Sequence, residues 1–417
     1  MNERKIKIGI FGLNRGMANA KAIKLCGGDI IAVCDKNDER RRAFKERIEP
    51  KCTVFDDFDS LIKCGIEAVY IANYFPEHAP YAIKALEKGI HVISECTSNG
   101  TMAEGVALMR AAEKSSAIYM LGENYPYMLF NLEMQRVYQE GSLGKILFGE
   151  GEYNHASPST DPNAVRSLYD SETHWRNYLP ATYYITHSLA PLMCATHSVP
   201  KRVCALPVFS PKEGDDIITA SRNGDALAIM TVLNDDGSVF RITGHSTFGY
   251  SENSYRLACK KGQIENVRGT DGKVMLSYNS WHTPSGAKES DLYYPHENED
   301  DAPLAAQTGH FGSDYYMFKD FFDCIRTNRR PYLDAFVATT MASVGILGHR
   351  SLLKLGEPMD RPDLRLEQER KKYENDTLSP FYAYEGKMSP SVQVCSKDDF
   401  CPSDDKIQRF KKAISKN

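Results

Sequence analysis

Lys5-Ile-Lys-Ile-Gly-Ile-Phe11, Gly12-Leu-Asn-Arg-Gly16, Met17 to Leu25 and Asp29-Ile-Ile-Ala-Val-Cys-Asp35 follow one another at the start of the chain. The first is an apolar run of strand length and the second a turn of small residues. The third has helical apolar spacing, and the fourth is a second strand that ends on a carboxylate. Strand, glycine turn, helix, strand and terminal acid is the plan of a dinucleotide-binding unit. Gly12 allows the backbone of Leu13, Asn14 and Arg15 to approach a pyrophosphate, whose charge the helix N-terminus favours. Asp35, about 20 residues further on, can accept hydrogen bonds from an adenosine ribose. Counted from Gly12, the later glycines of the usual fingerprint fall at Asn14 and Met17, with Gly16 one position early. A carboxylate at 35 repels a 2′-phosphate and so selects NAD over NADP. Arg40 and Arg41 are read as too far into the next helix to reverse that choice.

The alternation continues outward. Short strands are expected at 52–55, 67–73, 90–95 and 117–121, and helices at 38–48, 56–63, 76–88 and 103–114, the third closed by Gly89. Asp56 or Asp57 is a natural N-cap for the helix it precedes. Such repetition implies a doubly wound parallel sheet with both faces covered. Its strand C-termini, where ligands collect, carry Asp35, Asn73, Glu95 and Glu123.

With 417 residues, one core is too few and two domains are expected. Hydrophobic content of 42%, charged content of 25% and a net charge of -4 describe a soluble globular chain. That charge gives no global electrostatic case for nucleic acid or an anionic membrane. Met1-Asn-Glu-Arg-Lys runs straight into the first strand, with no apolar signal region and no run long enough to span a membrane. The 11 cysteines are scattered, with no C-x-x-C pair and no Cys/His cluster at zinc spacing. Reduced thiols, a cytoplasmic location and no metal are the expectation.

Beyond Pro126 the pattern changes. A helix over 127–140 leads into alternating segments at 145–154, 202–207, 226–233, 238–246, 254–259 and 274–278. Asn234-Asp-Asp-Gly237 is a hairpin turn between two of them. The fold class is therefore α/β: an N-terminal Rossmann domain over 1–125, then an α+β domain over 126–365 with a large, mostly antiparallel open sheet. Helices at 314–327 and 335–355 are expected to pack back on the first domain. Residues 366–417 are read as a surface-wrapping tail. Two long polar stretches, 156–172 and 279–309, read as loops. Their Tyr169, Trp281, His282, Tyr293 and Tyr294 suggest substrate lids.

Ala68-Val-Tyr-Ile-Ala-Asn73, the block from His78 to Val92, Glu123-Asn-Tyr125, and Tyr332 to Gly348 followed by Gly356-Glu-Pro358 resemble the glucose–fructose oxidoreductase / inositol dehydrogenase family, Gfo/Idh/MocA. The resemblance spans about residues 5 to 365. It implies cofactor contacts from Gly12, Leu13, Asn14, Arg15, Asp35, Asn73, His78, Glu95, Cys96 and Asn124. Two positions depart from the family pattern: Cys96 replaces a lysine found beside the nicotinamide, and Tyr183 replaces an aspartate four residues before the active-site histidine. Tyr184-Ile-Thr-His187-Ser-Leu-Ala-Pro191 is more similar to the family's NAD-dependent glycoside hydrolases. So are Glu123, Tyr153 in Gly151-Glu-Tyr-Asn154, and Gly309-His-Phe-Gly-Ser-Asp314.

His187 is the candidate base, since imidazole takes and returns protons near neutral pH. Tyr184, three residues earlier, shares its helical face; with Tyr153 it can orient hydroxyls or relay protons. Glu123 completes the catalytic set. Trp175 can stack on a sugar ring and Arg176 can hold a carboxylate or sulfate, with Tyr125 and Tyr183 as further substrate contacts. Each also has a plain structural reading as core packing or ion pairing. The expectation is an NAD-dependent oxidoreductase acting on a sugar or sugar derivative. The alternative is a glycosidase that oxidises C3 transiently, eliminates the aglycone, adds water and takes the hydride back. A non-catalytic sensor is the third reading. The expected partners are a small carbohydrate and a second copy of the chain, as dimer or tetramer through the C-terminal sheet.

Overall fold

The structure is a computed structural model describing residues 4–156, 159–382 and 389–415. Its first half alternates β1 (Ile6–Phe11), α1 (Leu13–Leu25), β2 (Gly28–Cys34), α2 (Asp38–Arg47), β3 (Thr53–Phe55) and α3 (Phe58–Leu61). Next come β4 (Ala68–Ile71), α4 (His78–Glu87), β5 (His91–Ser94), α5 (Met102–Lys114) and β6 (Tyr119–Leu121). The strands form one sheet in the order β3-β2-β1-β4-β5-β6, with every pairing parallel. Ile8, Gly9, Ile10 and Phe11 of β1 are buried in succession, as a central strand covered by helices on both faces requires. Asp57 caps α3 by accepting from Ser60 N. Thr101 and Glu104 form a capping box on α5. The strand order reverses between β1 and β4, and a crevice opens there at the strand C-termini.

The second half holds α6 (Leu129–Gln139), β7 (Ile146–Asn154), α7 (Pro162–Leu168), α8 (Thr186–Thr196), β8 (Pro200–Phe209), β9 (Asp225–Asn234) and β10 (Val239–Thr243). It continues through β11 (Glu252–Cys259), β12 (Gly262–Asn266), β13 (Val274–Tyr278), β14 (Ser290–Tyr293), α9 (Ala302–Ala305), α10 (Ser313–Thr327), α11 (Ala335–Leu353) and β15 (Met359–Asp360). The nine strands run β14-β13-β12-β11-β7-β10-β9-β8-β15. Asn234 to Gly237 makes the β9–β10 hairpin, pairing Leu233 with Val239. The sheet is mixed rather than wholly antiparallel, because β10 runs parallel to β7. One face packs on α8 and α11. The other carries Leu206 beside Ile229 and Leu233 beside Val239, all exposed.

Neither long polar stretch is featureless. The first contains α7, and Tyr169 and Asp170 just beyond it reach the crevice. The second supplies β14 and α9, and Trp281 within it stands 77% exposed. It extends the sheet edge and is not among the crevice residues, so the lid expectation fails for 279–309. After β15 the chain turns back. Helix α12 (Glu367–Tyr373) ties to α5 through Arg110 to Glu374 at 2.7 Å and Arg370 to Glu113 at 2.7 Å. Helix α13 (Asp404–Ile414) ends on α7.

Candidate active site

At the end of β1 the chain must turn sharply into α1, and Gly12 makes the turn with φ +93°. A Cβ there would meet Ala72 O at 2.3 Å. Only glycine brings the loop this close to β4. Leu13 N donates to Asp35 Oδ2 at 2.7 Å and Asn37 N donates to Oδ1 at 2.8 Å, which fixes the carboxylate at the crevice rim. Each oxygen keeps a lone pair for further donors. Arg40 lies nearer than its sequence position suggested. Its guanidinium is 4.0 Å from Asp35 and lines the crevice, because the first turn of α2 points back over β2. Arg41 instead donates to the carbonyls of Asp35 and Lys36.

Arg15 spans the two halves. Its Nε donates to Glu95 Oε1 at 3.0 Å, and its Nη2 lies 3.5 Å from Asp314 Oδ1 in α10. Burial disfavours its charge, but Glu95, Tyr70 and Asp314 more than offset that and keep the guanidinium protonated. Tyr70 Oη donates to the same Glu95 oxygen at 2.5 Å. Asp314 also accepts from Asn124 Nδ2 at 2.7 Å and faces His310 Nδ1 at 2.9 Å. Asn124 is therefore held behind the wall, tied to α10. His78 is buried and bonded through Nδ1 to Thr97 O at 2.7 Å, an arrangement that fixes the β5–α5 connection.

The crevice is a cleft of about 310 Å³. Asn14, Arg15, Asn73, Glu95 and Cys96 line it on the β1–β5 side; Trp175, Arg176 and Tyr184 line it on the other. Both polar atoms of the Asn73 amide are buried and without a hydrogen-bond partner among the described residues. An unsatisfied amide at a cleft wall, beside a glycine turn and a helix N-terminus, suits a polar, anionic ligand such as a dinucleotide.

Next to the cleft lies a carboxylate–imidazole pair. Glu123, fully buried at the end of β6, has Oε1 2.6 Å from His187 Nδ1. Burial pushes the Glu123 carboxyl up, yet its pairing with His187 and the hydrogen bonds from Cys96 and Thr186 hold it below its ordinary value. Tyr125 N donates to the same oxygen at 3.2 Å, and Cys96 Sγ donates to Oε2 at 3.0 Å. An ionised carboxylate accepts only, so Nδ1 of His187 carries the proton and Nε2 the free lone pair. Nε2 lies 3.2 Å from Tyr184 Oη. Burial pushes both Tyr184 and Tyr153 well up, so each remains a phenol able to donate.

Local sequence explains this meeting. A Cβ at Gly151 would lie 2.0 Å from Ser188 O, so this glycine lets α8 lie directly on β7. Tyr153, two residues on, then packs edge-on against the His187 ring at 4.7 Å, and Tyr125 stacks on it at 3.9 Å. Tyr255 Oη donates to His187 O at 2.6 Å and fixes the start of α8. Tyr125 thus supports the imidazole rather than facing the cleft. Tyr183 is a correction: its ring packs against His349 and Phe381 inside the core, because consecutive residues before α8 point in opposite directions. Trp175 is also only partly as expected, since it is 8% exposed and stacked on Phe75 at 5.0 Å. It carries the exposed Arg176 guanidinium at 4.3 Å from its ring.

Cys96 is not a reactive thiol, since burial and the charges of Glu123 and Glu95 push it well up. His245 and His174 carry no motif that marks them in the sequence. His245 lies near Tyr153 and Tyr184 at 5.9 and 5.8 Å, and burial pushes it down to about 3. His174 lines the cleft against Tyr74 and is also pushed down to about 3 by burial. Both are neutral imidazoles. Asp314 was legible only as part of the Gly309–Asp314 block.

A parallel sheet reversing at β1/β4, a glycine turn at the switch and an acid at the end of β2 define a nicotinamide-dinucleotide oxidoreductase scaffold. Residues 6–123 match the oxidoreductase family's NAD-binding Rossmann fold, and residues 240–369 match the C-terminal domain of glycosyl hydrolase 109. The chain thus joins an NAD-binding domain of the Gfo/Idh/MocA type to a C-terminal domain of the glycosyl hydrolase 109 type. A glycosyl hydrolase family 109 protein of Saccharopolyspora erythraea is 23% identical over 400 residues, covering 86% of this chain and 83% of that one. One from Streptomyces filamentosus is 25% identical over 401 residues, covering 86% and 77%. In shape the chain is similar to levoglucosan dehydrogenase in complex with NADH and levoglucosan, with TM-score 0.72, 18% identity and coverage of 86% and 100%. It is also similar to the aldose-aldose oxidoreductase of Caulobacter crescentus complexed with glycerol, with TM-score 0.67, 17% identity and coverage of 86% and 100%.

Proposed function

We propose that this enzyme oxidises a carbinol of a sugar or glycoside with NAD, using His187 as the proton acceptor and Tyr184 as the group between it and the substrate. The observation that carries this reading is the line Glu123–His187–Tyr184, at 2.6 and 3.2 Å, ending on the cleft wall. NAD, held along Gly12 to Arg15, Asp35, Asn73 and Glu95, supplies the hydride-accepting carbon. The substrate hydroxyl passes its proton to Tyr184 Oη as the Tyr184 proton moves to His187 Nε2. The imidazolium that forms is stabilised by Glu123, which is already ionised and needs no reorganisation. Arg176, fixed on Trp175, binds the sugar's hydroxyl or anionic groups.

A second reading is favoured by the glycosyl hydrolase 109 match over residues 240–369 and by Cys96 at the usual lysine position. Here oxidation is transient. The ketone at C3 acidifies the C2 proton, a base removes it, the glycosidic bond breaks by elimination, water adds and the hydride returns. Tyr153, beside His187, supplies the second acid–base group this route needs. Incubation with aryl glycosides at catalytic NAD, and with free sugars at excess NAD, separates the two. Aglycone release without net NADH supports the second; stoichiometric NADH from a free sugar supports the first; no turnover across the panel contradicts both. We place the enzyme in the cytoplasm; no helix among the described residues is long and apolar enough to cross a membrane. The exposed apolar face of β8, β9 and β10 is the surface expected to bury against a second copy, as dimer or tetramer.

A further inference from the structure

We propose that the C-terminal helix α13 is a latch: it braces the cleft wall formed by residues 162–176 and sets how slowly the dinucleotide leaves. This rests on the cleft being the NAD site. It concerns a segment beyond both family-matched regions, which end at residue 369.

A small apolar core, separate from the main one, carries the argument. Val165 of α7, Ile218 and Ala220 close around Phe410 and Ala413 of α13, with Phe410 only 1% exposed. Polar ties surround it. Arg166 Nε donates to Ala413 O at 3.0 Å, Lys406 Nζ donates to Lys212 O at 2.8 Å, and Lys411 pairs with Glu172 at 2.9 Å. Ile407, Phe410 and Ala413 recur every three residues, so one face of α13 is apolar and has α7 as its cover.

From Phe410 the contacts run inward. Its ring meets Tyr169 edge-on at 5.3 Å, Tyr169 meets His174 at 5.4 Å, and His174 meets Tyr74 at 5.2 Å. Tyr74 Oη donates to Asp170, and Trp175 stacks on Phe75. Tyr169, Asp170, His174 and Trp175 face Asp35 and Arg40 across the same cleft. The wall therefore spans the ligand site, is pinned to the β4–α4 connection at its inner edge, and is backed at its outer edge by α13 together with Ile218 and Ala220. A short helix such as α7 does not hold itself in place; its order comes from packing. Removing the brace lets the wall open, and opening is the step a bound dinucleotide needs to escape.

The test uses the full chain loaded with NAD, comparing wild type with Phe410→Ala, Phe410→Leu, Lys411→Glu and a chain ending at Pro402. Two readouts are taken: the NAD dissociation rate after rapid dilution, and amide hydrogen exchange. Dissociation at least tenfold faster in Phe410→Ala and in the shortened chain is expected, about twofold faster in Lys411→Glu, and near wild type in Phe410→Leu. Exchange over 162–176 rises in step, while β1 to β6 exchange as before. Should the shortened chain unfold, Phe410→Ala and Lys411→Glu decide the matter. Wild-type dissociation rates or unchanged exchange over 162–176 in Phe410→Ala would overturn the latch. Wild-type protein that binds no NAD at all would instead overturn the cofactor reading.

Discussion

The Nδ1 atom of His187 lies 2.6 Å from Oε1 of Glu123, in a site where the carboxylate has no exposure to water. The pair lies at the junction of the two halves, with Glu123 contributed by the end of β6 and His187 by the first turn of α8. Its geometry sets the proton of the imidazole on one nitrogen and leaves the other for chemistry.

Replacing Glu123 with Gln keeps the shape but lets the amide offer either a donor or an acceptor to His187. Turnover is expected to fall by about 10²–10⁴. NAD affinity, measured by calorimetry, stays within about twofold. Turnover near wild type would show that the tautomer of His187 does not depend on Glu123.

Gly12→Ala places a methyl group against Ala72 O and strains a backbone at φ +93°. A stability loss of about 1–3 kcal/mol and loss of NAD binding are expected, read by thermal melting and calorimetry. Normal binding would mean the cofactor does not use this turn.

The Glu104 carboxyl, pushed up to about 7 by burial, makes the fold pH-dependent. The unfolded carboxyl titrates near its ordinary 4.5, so between the two values the folded chain holds an extra proton. Its contribution to stability is largest below the unfolded value and declines as pH rises through 7, by up to about 3 kcal/mol. Glu104→Gln keeps a capping acceptor and carries no charge. Its melting temperature is expected to gain on wild type between pH 5 and 8, and parallel curves would contradict the assignment.

Cys96 is buried and its thiol is held protonated, whereas Cys401 is exposed. Brief alkylation of the native protein at pH 8, read by mass spectrometry, should label Cys401 and spare Cys96. Rapid labelling of Cys96 would place it at the surface of the cleft.

Much of the first half was legible because parallel strands covered on both faces read as unbroken apolar runs, and β1, β2, β4 and β5 do. Pairing was not. Nothing local to Ser238–Ser246 says that β10 runs parallel to β7, since that depends on which strand lies beside it. Short polar strands such as Gly262–Asn266 and Ser290–Tyr293 gain their order from the strands they pair with and carry too few apolar residues to be seen. In the site, His187, Tyr184, Tyr153 and Glu123 were found through their sequence blocks and are brought together. Tyr183 was misplaced because a one-residue step reverses the side-chain direction. His174 and His245 lack any neighbouring motif and acquire meaning only from contacts far along the chain. Helix α13 was missed, since residues 366–417 were read only as a tail, and its partner α7 lay within a stretch read as a loop.

The central claim is that the cleft binds NAD and that His187 handles the proton rather than the cofactor. Calorimetric titration of His187→Ala with NAD, paired with its turnover on the best substrate, tests both parts at once. An affinity within about twofold of wild type and turnover reduced at least about 10³-fold are expected. Undiminished turnover, or no NAD binding by the wild-type protein, would contradict it.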